Sequence, residues 1–176
     1  MKHALSISAL GAALLVAGFA TTTDAEAASR RVVRPNAAGG TTSTAAVARQ
    51  GANGGGIARG RAVATDGQGN AASVRGGAIR GPNGGTGARA GMNTRSADGS
   101  ATHQSGMSAT GTQGSVQSSG SASRDASGNV TQSRSTNATN AATGNSVQSS
   151  SAYTKDTGLT HSATCYNASG AVIACR

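Results

Sequence analysis

The chain has 176 residues and a formal net charge of +9, yet aromatic residues make up only 2% of it and tryptophan is absent. Glycine occupies 27 positions, whereas acidic residues number six. So few bulky side chains cannot wall off a dry pocket, and a dry pocket is what shifts the pKa of a catalytic group. The composition therefore argues against an enzyme and against a bound cofactor, and the charge predicts anionic partners.

The first residues have the pattern of an export signal. A short basic start, Met1-Lys2-His3, precedes an uncharged apolar run from Ala4 to Ala20, and Ala25-Glu26-Ala27 fits a small-x-small cleavage site. This pattern predicts a helical signal peptide of the bacterial Sec type over residues 1–27. A membrane anchor is the alternative, but 17 apolar residues fall short of the about 20 that a bilayer needs. We expect a protein that is secreted, at the cell surface or periplasmic, with no stable membrane span after cleavage.

Residues 28–110 are rich in glycine and arginine, and the glycine-dense stretches Gly51–Gly60 and Gly76–Gly91 show no apolar period of either a helix or a strand. Ten arginines between Ala28 and Arg95 accompany a single acid, Asp66. The composition predicts a mostly disordered N-terminal half that acts as a cationic arm for lipopolysaccharide, acidic exopolysaccharide or extracellular DNA. Solvated arginines on a linker are the alternative. The arginines assigned to polyanion binding are Arg30, Arg31, Arg34, Arg59, Arg61, Arg75, Arg80 and Arg89.

Residues 111–176 change to serine, threonine, asparagine and spaced valine. Ser-Val-Gln-Ser-Ser occurs at Ser115–Ser119 and again at Ser146–Ser150, and Asp125-Ala-Ser-Gly128 is echoed by Asn167-Ala-Ser-Gly170. Asp or Asn followed three residues later by Gly favours a type I turn with a bulge. We therefore predict an all-β region of short hairpins or of stacked, solenoid-like repeats. Slippage repeats that stay disordered are the alternative.

The last hairpin carries the only two cysteines, Cys165 and Cys175. In an exported protein this pair predicts a disulfide, which would stabilise the closed loop by about 3 kcal/mol. A turn of type I with a bulge places Cys165 opposite Ile173 and Tyr166 opposite Val172. Cys175 then lies diagonal to Cys165, which strains the bridge, so a three-residue loop around Gly170 is a second possible register.

No catalytic or metal-binding motif is found. His103, His161 and the aspartates match no zinc, nucleophile or phosphate-loop pattern, so no catalytic, cofactor or metal residue is assigned. The Ser/Asn/Gln repeats resemble those of curlins, with Gln132, Asn137 and Gln148 near the positions of an amide ladder. The glycine spacing is similar to that of the head repeats of trimeric surface adhesins. Neither resemblance assigns a role to a residue.

Together these features predict an exported, low-complexity surface or matrix protein that is structural and self-associates. The alternative is a secreted or periplasmic polycation that binds anionic polymers.

Overall fold

The computed structural model describes residues 27–51 and 53–175, and these form one open antiparallel sheet of 11 strands. The strands lie side by side in chain order, so each connection is a hairpin. The strands are β1 (Ala27–Pro35), β2 (Thr41–Gln50), β3 (Gly56–Thr65), β4 (Ala71–Arg80), β5 (Thr86–Arg95), β6 (Ala101–Gly111), β7 (Gly114–Arg124), β8 (Val130–Asn140), β9 (Ser146–Thr154), β10 (Gly158–Tyr166) and β11 (Val172–Ile173). The signal peptide predicted for residues 1–27 lies outside the described residues, apart from Ala27.

A fixed period organises the first half of the sheet. Strands β2 to β6 begin at Thr41, Gly56, Ala71, Thr86 and Ala101, which are 15 residues apart. Each of these strands is preceded by a five-residue turn. In the turn before β3 the N–H of Gly51 donates to the carbonyl of Gly55 at 2.8 Å, and the same closing bond recurs at the equivalent turns. The repeat therefore consists of a ten-residue strand and a five-residue turn.

The disorder predicted for residues 28–110 is not confirmed, because β1 to β6 lie in this part of the chain. The prediction assumed that an ordered structure requires a buried apolar core, whereas this sheet is ordered with almost none. Ala62, at 3% exposure, is the only buried apolar residue among the described residues, while Leu159 is 74% exposed. Order comes instead from backbone pairing along ten consecutive hairpins and from cross-strand side-chain contacts.

The all-β prediction for the C-terminal part is confirmed, in its hairpin form. The N–H of Asp125 donates to the carbonyl of Asn129, and that of Gly128 to the carbonyl of Asp125, both at 3.0 Å. Gly128 adopts a φ of 87° and Gly170 a φ of 83°. Glycine accepts this left-handed conformation without the steric cost that a Cβ brings. The echoed turns are therefore equivalent in structure as well as in sequence.

The terminal hairpin has the register of a type I turn with a bulge, in which Cys175 lies diagonal to Cys165. Cys165 pairs with Ile173 and Tyr166 with Val172, and the disulfide between Cys165 and Cys175 is present. The two Cα atoms are 5.3 Å apart, within the ordinary range for a bridge. Strand β11 ends at Ile173. The residues after Ile173 are not paired with β10, so the chain can bring Cys175 back toward Cys165. The disulfide therefore forms without a change of register.

The disulfide indicates an oxidising, extracytoplasmic environment. In the part of the chain that the structure describes, no helix has the length and apolar character to cross a membrane.

Candidate polyanion-binding face

The pairing register separates the arginines between the two faces of the sheet. Partner residues on neighbouring antiparallel strands project to the same face, and successive residues of a strand project to opposite faces. Twelve arginines lie on the described strands, and tracing the register puts nine of them on one face, which we name the cationic face. These nine are Arg31, Arg49, Arg59, Arg61, Arg75, Arg89, Arg95, Arg124 and Arg134.

The centre of the cationic face is a pair of like charges. Arg61 on β3 lies directly opposite Arg75 on β4. Arg31 is in the same row two strands away, beyond Ala45, and Arg59 is in the next row. Like charges in directly opposed positions destabilise a sheet. This face therefore carries an electrostatic cost that an anionic ligand would relieve.

A shallow groove of about 710 Å³ runs over this region. It is lined by seven arginines, of which six belong to the cationic face. The seven are Arg30, Arg31, Arg59, Arg61, Arg75, Arg89 and Arg134. Together they give the groove an arginine-rich wall that reaches from β1 to β8.

Glycines provide the floor on which two of these side chains rest. A Cβ at Gly91 would lie 3.6 Å from Nε of Arg75, and a Cβ at Gly120 would lie 3.6 Å from Nε of Arg134. The side chains of Arg75 and Arg134 therefore lie over the glycine backbone of the neighbouring strand. Arg134 is fixed further because its Nη1 donates to Oγ of Ser118 at 3.0 Å, and Ser118 is only 8% exposed. Glycine on these strands thus has a role in side-chain placement.

The acidic side chains of the described region lie in the turns and not on the strands. Asp66, Asp98 and Asp125 begin or occupy turns, and Asp156 lies between β9 and β10. The pKa of each of the first three is held below the ordinary 3.8, first by a hydrogen bond from a side chain of the same turn and then by backbone N–H donors. The side-chain donors, in order, are Asn70, Ser100 and Asn129. These carboxylates serve the turns and leave the arginines of the strands without acidic neighbours on their face.

The opposite face, which we name the neutral face, has a different chemistry. From β2 to β10 its one charged side chain is Arg80, at the end of β4. Over β2 to β5 one row consists of Ala48, Ala58, Ala78 and Ala88. The next row consists of Ala46, Gly60, Gly76, Ala90 and, on β6, Gly106.

Over β7 to β10 the neutral face is covered with hydroxyl and amide groups. Ser119 and Ser135 are joined Oγ to Oγ at 3.1 Å, and Ser150 and Ser162 at 2.8 Å. Gln117, Asn137 and Gln148 lie side by side in one row. Of the amides expected to form a ladder, Asn137 and Gln148 are therefore neighbours, whereas Gln132 lies on the cationic face.

The structure divides the eight arginines assigned from the sequence. It brings five together on the cationic face and places Arg30, Arg34 and Arg80 on the neutral face. Sequence reasoning missed Arg49, Arg95, Arg124 and Arg134, because the face on which an arginine lies depends on strand pairing and not on its position along the chain. Arg134 was the most informative omission, since it lines the same groove from β8.

The histidines and acids of the described strands and turns form no further site. Nδ1 of His103 is 2.7 Å from Oδ1 of Asn93, and Nδ2 of Asn93 donates to Oγ of Ser73 at 3.2 Å. This row ties β4, β5 and β6 together on the cationic face. Within residues 27–51 and 53–175, no three His, Cys, Asp or Glu side chains come together as a metal site would require.

The fold and the site define a single-layer antiparallel meander with one arginine-covered face. Comparison with known proteins finds no matching family model, no matching curated protein and no matching solved structure.

Proposed function

We propose that the protein is an exported surface or matrix component that holds linear polyanions on its cationic face. The observation that carries the proposal is the one-sided placement of charge. Nine arginines share one face, the described aspartates lie in turns, and Arg61 opposes Arg75 with no carboxylate between them. Anionic groups are the ligands that would compensate such a surface.

The dimensions favour a polymer over a small anion. The groove arginines extend from Arg31 on β1 to Arg134 on β8. Seven strand spacings of about 4.8 Å make this about 34 Å. A phosphate or sulfate ion would contact one or two guanidinium groups, whereas a polymer can contact the whole row. Arginine suits this role because its planar fork pairs with phosphate or sulfate through two hydrogen bonds.

The test measures binding of the disulfide-intact protein to a fluorescent single-stranded oligonucleotide by anisotropy over a range of NaCl concentrations. Each phosphate contact on a single strand contributes about 0.7 to the log–log salt slope, so six groove arginines predict a slope of about −4. Replacing Arg61 and Arg75 by glutamine should bring the slope to about −3 and weaken binding.

The matched control removes the same charge from the other face. Arg34→Gln with Arg80→Gln leaves the groove intact, because both residues lie on the neutral face. The slope should stay near −4. Equal losses in the two double variants would show that binding depends on net charge alone and would refute the assignment to this face. A sulfated polysaccharide as competitor then tests whether the site distinguishes polymer types.

A further inference from the structure

The neutral face is the side of the described sheet that polyanion binding leaves unused. Its central row over β2 to β6 contains only Ala46, Gly60, Gly76, Ala90 and Gly106. Ala46 and Ala90 are exposed. We propose that two copies of this chain pack their neutral faces together over β2 to β6, giving a two-layer sandwich with both cationic faces outward.

The single layer is the first observation behind this proposal. Stable β-domains consist of two packed layers that share an apolar interior. Here Ala62 is the one apolar residue buried in the described part of the chain. A second sheet would supply the missing layer. A second copy of this chain provides a sheet with the same width and the same 15-residue period.

Charge determines which face can be shared. Stacking two cationic faces would bring eighteen arginines into one interface with no described strand carboxylate to pair them. On the neutral face of β2 to β6 the one charge is Arg80, and it lies in the row at the end of β4. A two-fold contact sets a surface against a copy of itself, so the surface must be free of like charges. The neutral face satisfies this condition, with Arg80 at the rim.

The size and relief of the face also fit a second copy. Five strands at about 4.8 Å and ten residues at about 3.4 Å give about 24 by 34 Å, or about 800 Å². A standard interface buries about 800 Å² on each partner. Two rows of alanine and glycine give the centre of the face low relief, so that two such sheets can approach closely there, while larger side chains such as Met92 lie in the rows beside them.

Sedimentation velocity on the full disulfide-intact chain tests the proposal. We expect the wild-type protein to sediment as a dimer. Ala90→Glu places a carboxylate at the middle of the face, on a side chain that is exposed in the monomer, and should raise the dimer dissociation constant by at least about 100-fold through burial of unpaired charge. Ala46→Glu, on β2 in the same row, is the second variant and should act in the same way.

The control is Ile79→Glu, which adds the same charge on the cationic face of β4, where Ile79 is 56% exposed. This variant should remain a dimer. Circular dichroism confirms that each variant keeps its strands. The proposal is overturned if the wild-type protein is monomeric, if Ala90→Glu and Ala46→Glu remain dimeric, or if Ile79→Glu dissociates to the same extent.

A lipid surface is the other occupant that a neutral face could take. The wild-type protein would then be a monomer that floats with vesicles of uncharged phosphatidylcholine, and Ala90→Glu would abolish this flotation. That result would show that the neutral face binds a membrane and not a second copy, and it would refute the proposal. Loss of oligonucleotide binding in the groove variants leaves the dimer untouched, because those arginines lie on the opposite face.

Discussion

Reduction of the disulfide is predicted to loosen one end of the sheet and to leave the rest unchanged. The bond joins Cys165 and Cys175, which are 10 residues apart. The chain-entropy relation for a loop of this size gives about 9 cal/mol/K, or about 2.7 kcal/mol at 25 °C. Strand β11 has only two residues and pairs only with β10. The whole of this free energy therefore acts on the last hairpin, because a meander transmits little from one end to the other.

Hydrogen exchange followed by mass spectrometry measures this effect. A loss of 2.7 kcal/mol corresponds to about a 100-fold faster exchange of the amides that the terminal hairpin protects. The variant with Cys165→Ser and Cys175→Ser should behave like the reduced protein. Peptides from β2 to β6 should exchange at the wild-type rate in both. Loss of protection in β2 to β6 after reduction would refute the view that the sheet is held by local pairing, and unchanged exchange at Val172–Ile173 would refute the role of the bond.

Two further predictions concern the turns. Gly128→Ala forces a side chain into the left-handed region at a turn with open space around it, and should cost about 1 kcal/mol in thermal unfolding. Gly111→Ala also has open space but no positive φ, so it should be neutral or slightly stabilising, and equal costs for both would contradict the strain argument. The hydrogen bonds that lower the pKa of Asp66, Asp98 and Asp125 make the folded state bind protons less readily than the unfolded chain. The stabilisation of the folded state by these carboxylates is thus present above about pH 4 and is lost as the pH falls below the ordinary value of 3.8 through the folded pKa values. The melting temperature should drop in that range, and it should drop less in Asp125→Asn, which lacks one of these carboxylates.

The C-terminal hairpins could be predicted from the sequence because their turns carry strong local signals. Asp125 and Gly128 occupy the positions that a type I turn with a bulge prefers, and the two cysteines bracket the last turn. Such signals act within a few residues, so they survive without a tertiary core. The turn of type I with a bulge favoured the observed register of Tyr166 with Val172, whereas the geometry of the disulfide left a second register open.

The N-terminal half was missed because its strands do not alternate between apolar and polar residues. In β3, large and small residues alternate instead, with Arg59 and Arg61 on one face and Ala58, Gly60 and Ala62 on the other. A search for a buried apolar face finds nothing in such a strand. The available signal was the spacing of the turn glycines, which keeps the 15-residue period from β2 to β6.

The cationic face could not be predicted from the density of arginine along the chain. Arg30 and Arg31 are adjacent in sequence but project to opposite faces, whereas Arg59 and Arg89 are far apart and share a row through Gly77. Which arginines meet depends on strand pairing. The strand pairing can be worked out only after the positions of the turns are known.

The odd length of the repeat restricts how such a protein can change its size. Paired residues on β2 to β6 are both odd or both even in number, and 15 is odd. Inserting one extra strand-and-turn unit between β2 and β6 would therefore exchange the two faces for all later strands and move the downstream arginines of the cationic face together to the neutral face. Two units, or 30 residues, restore the original orientation. Viable expansions or deletions of this region should therefore come in pairs of strands, and a designer who wishes to widen the sheet must add hairpins rather than single strands.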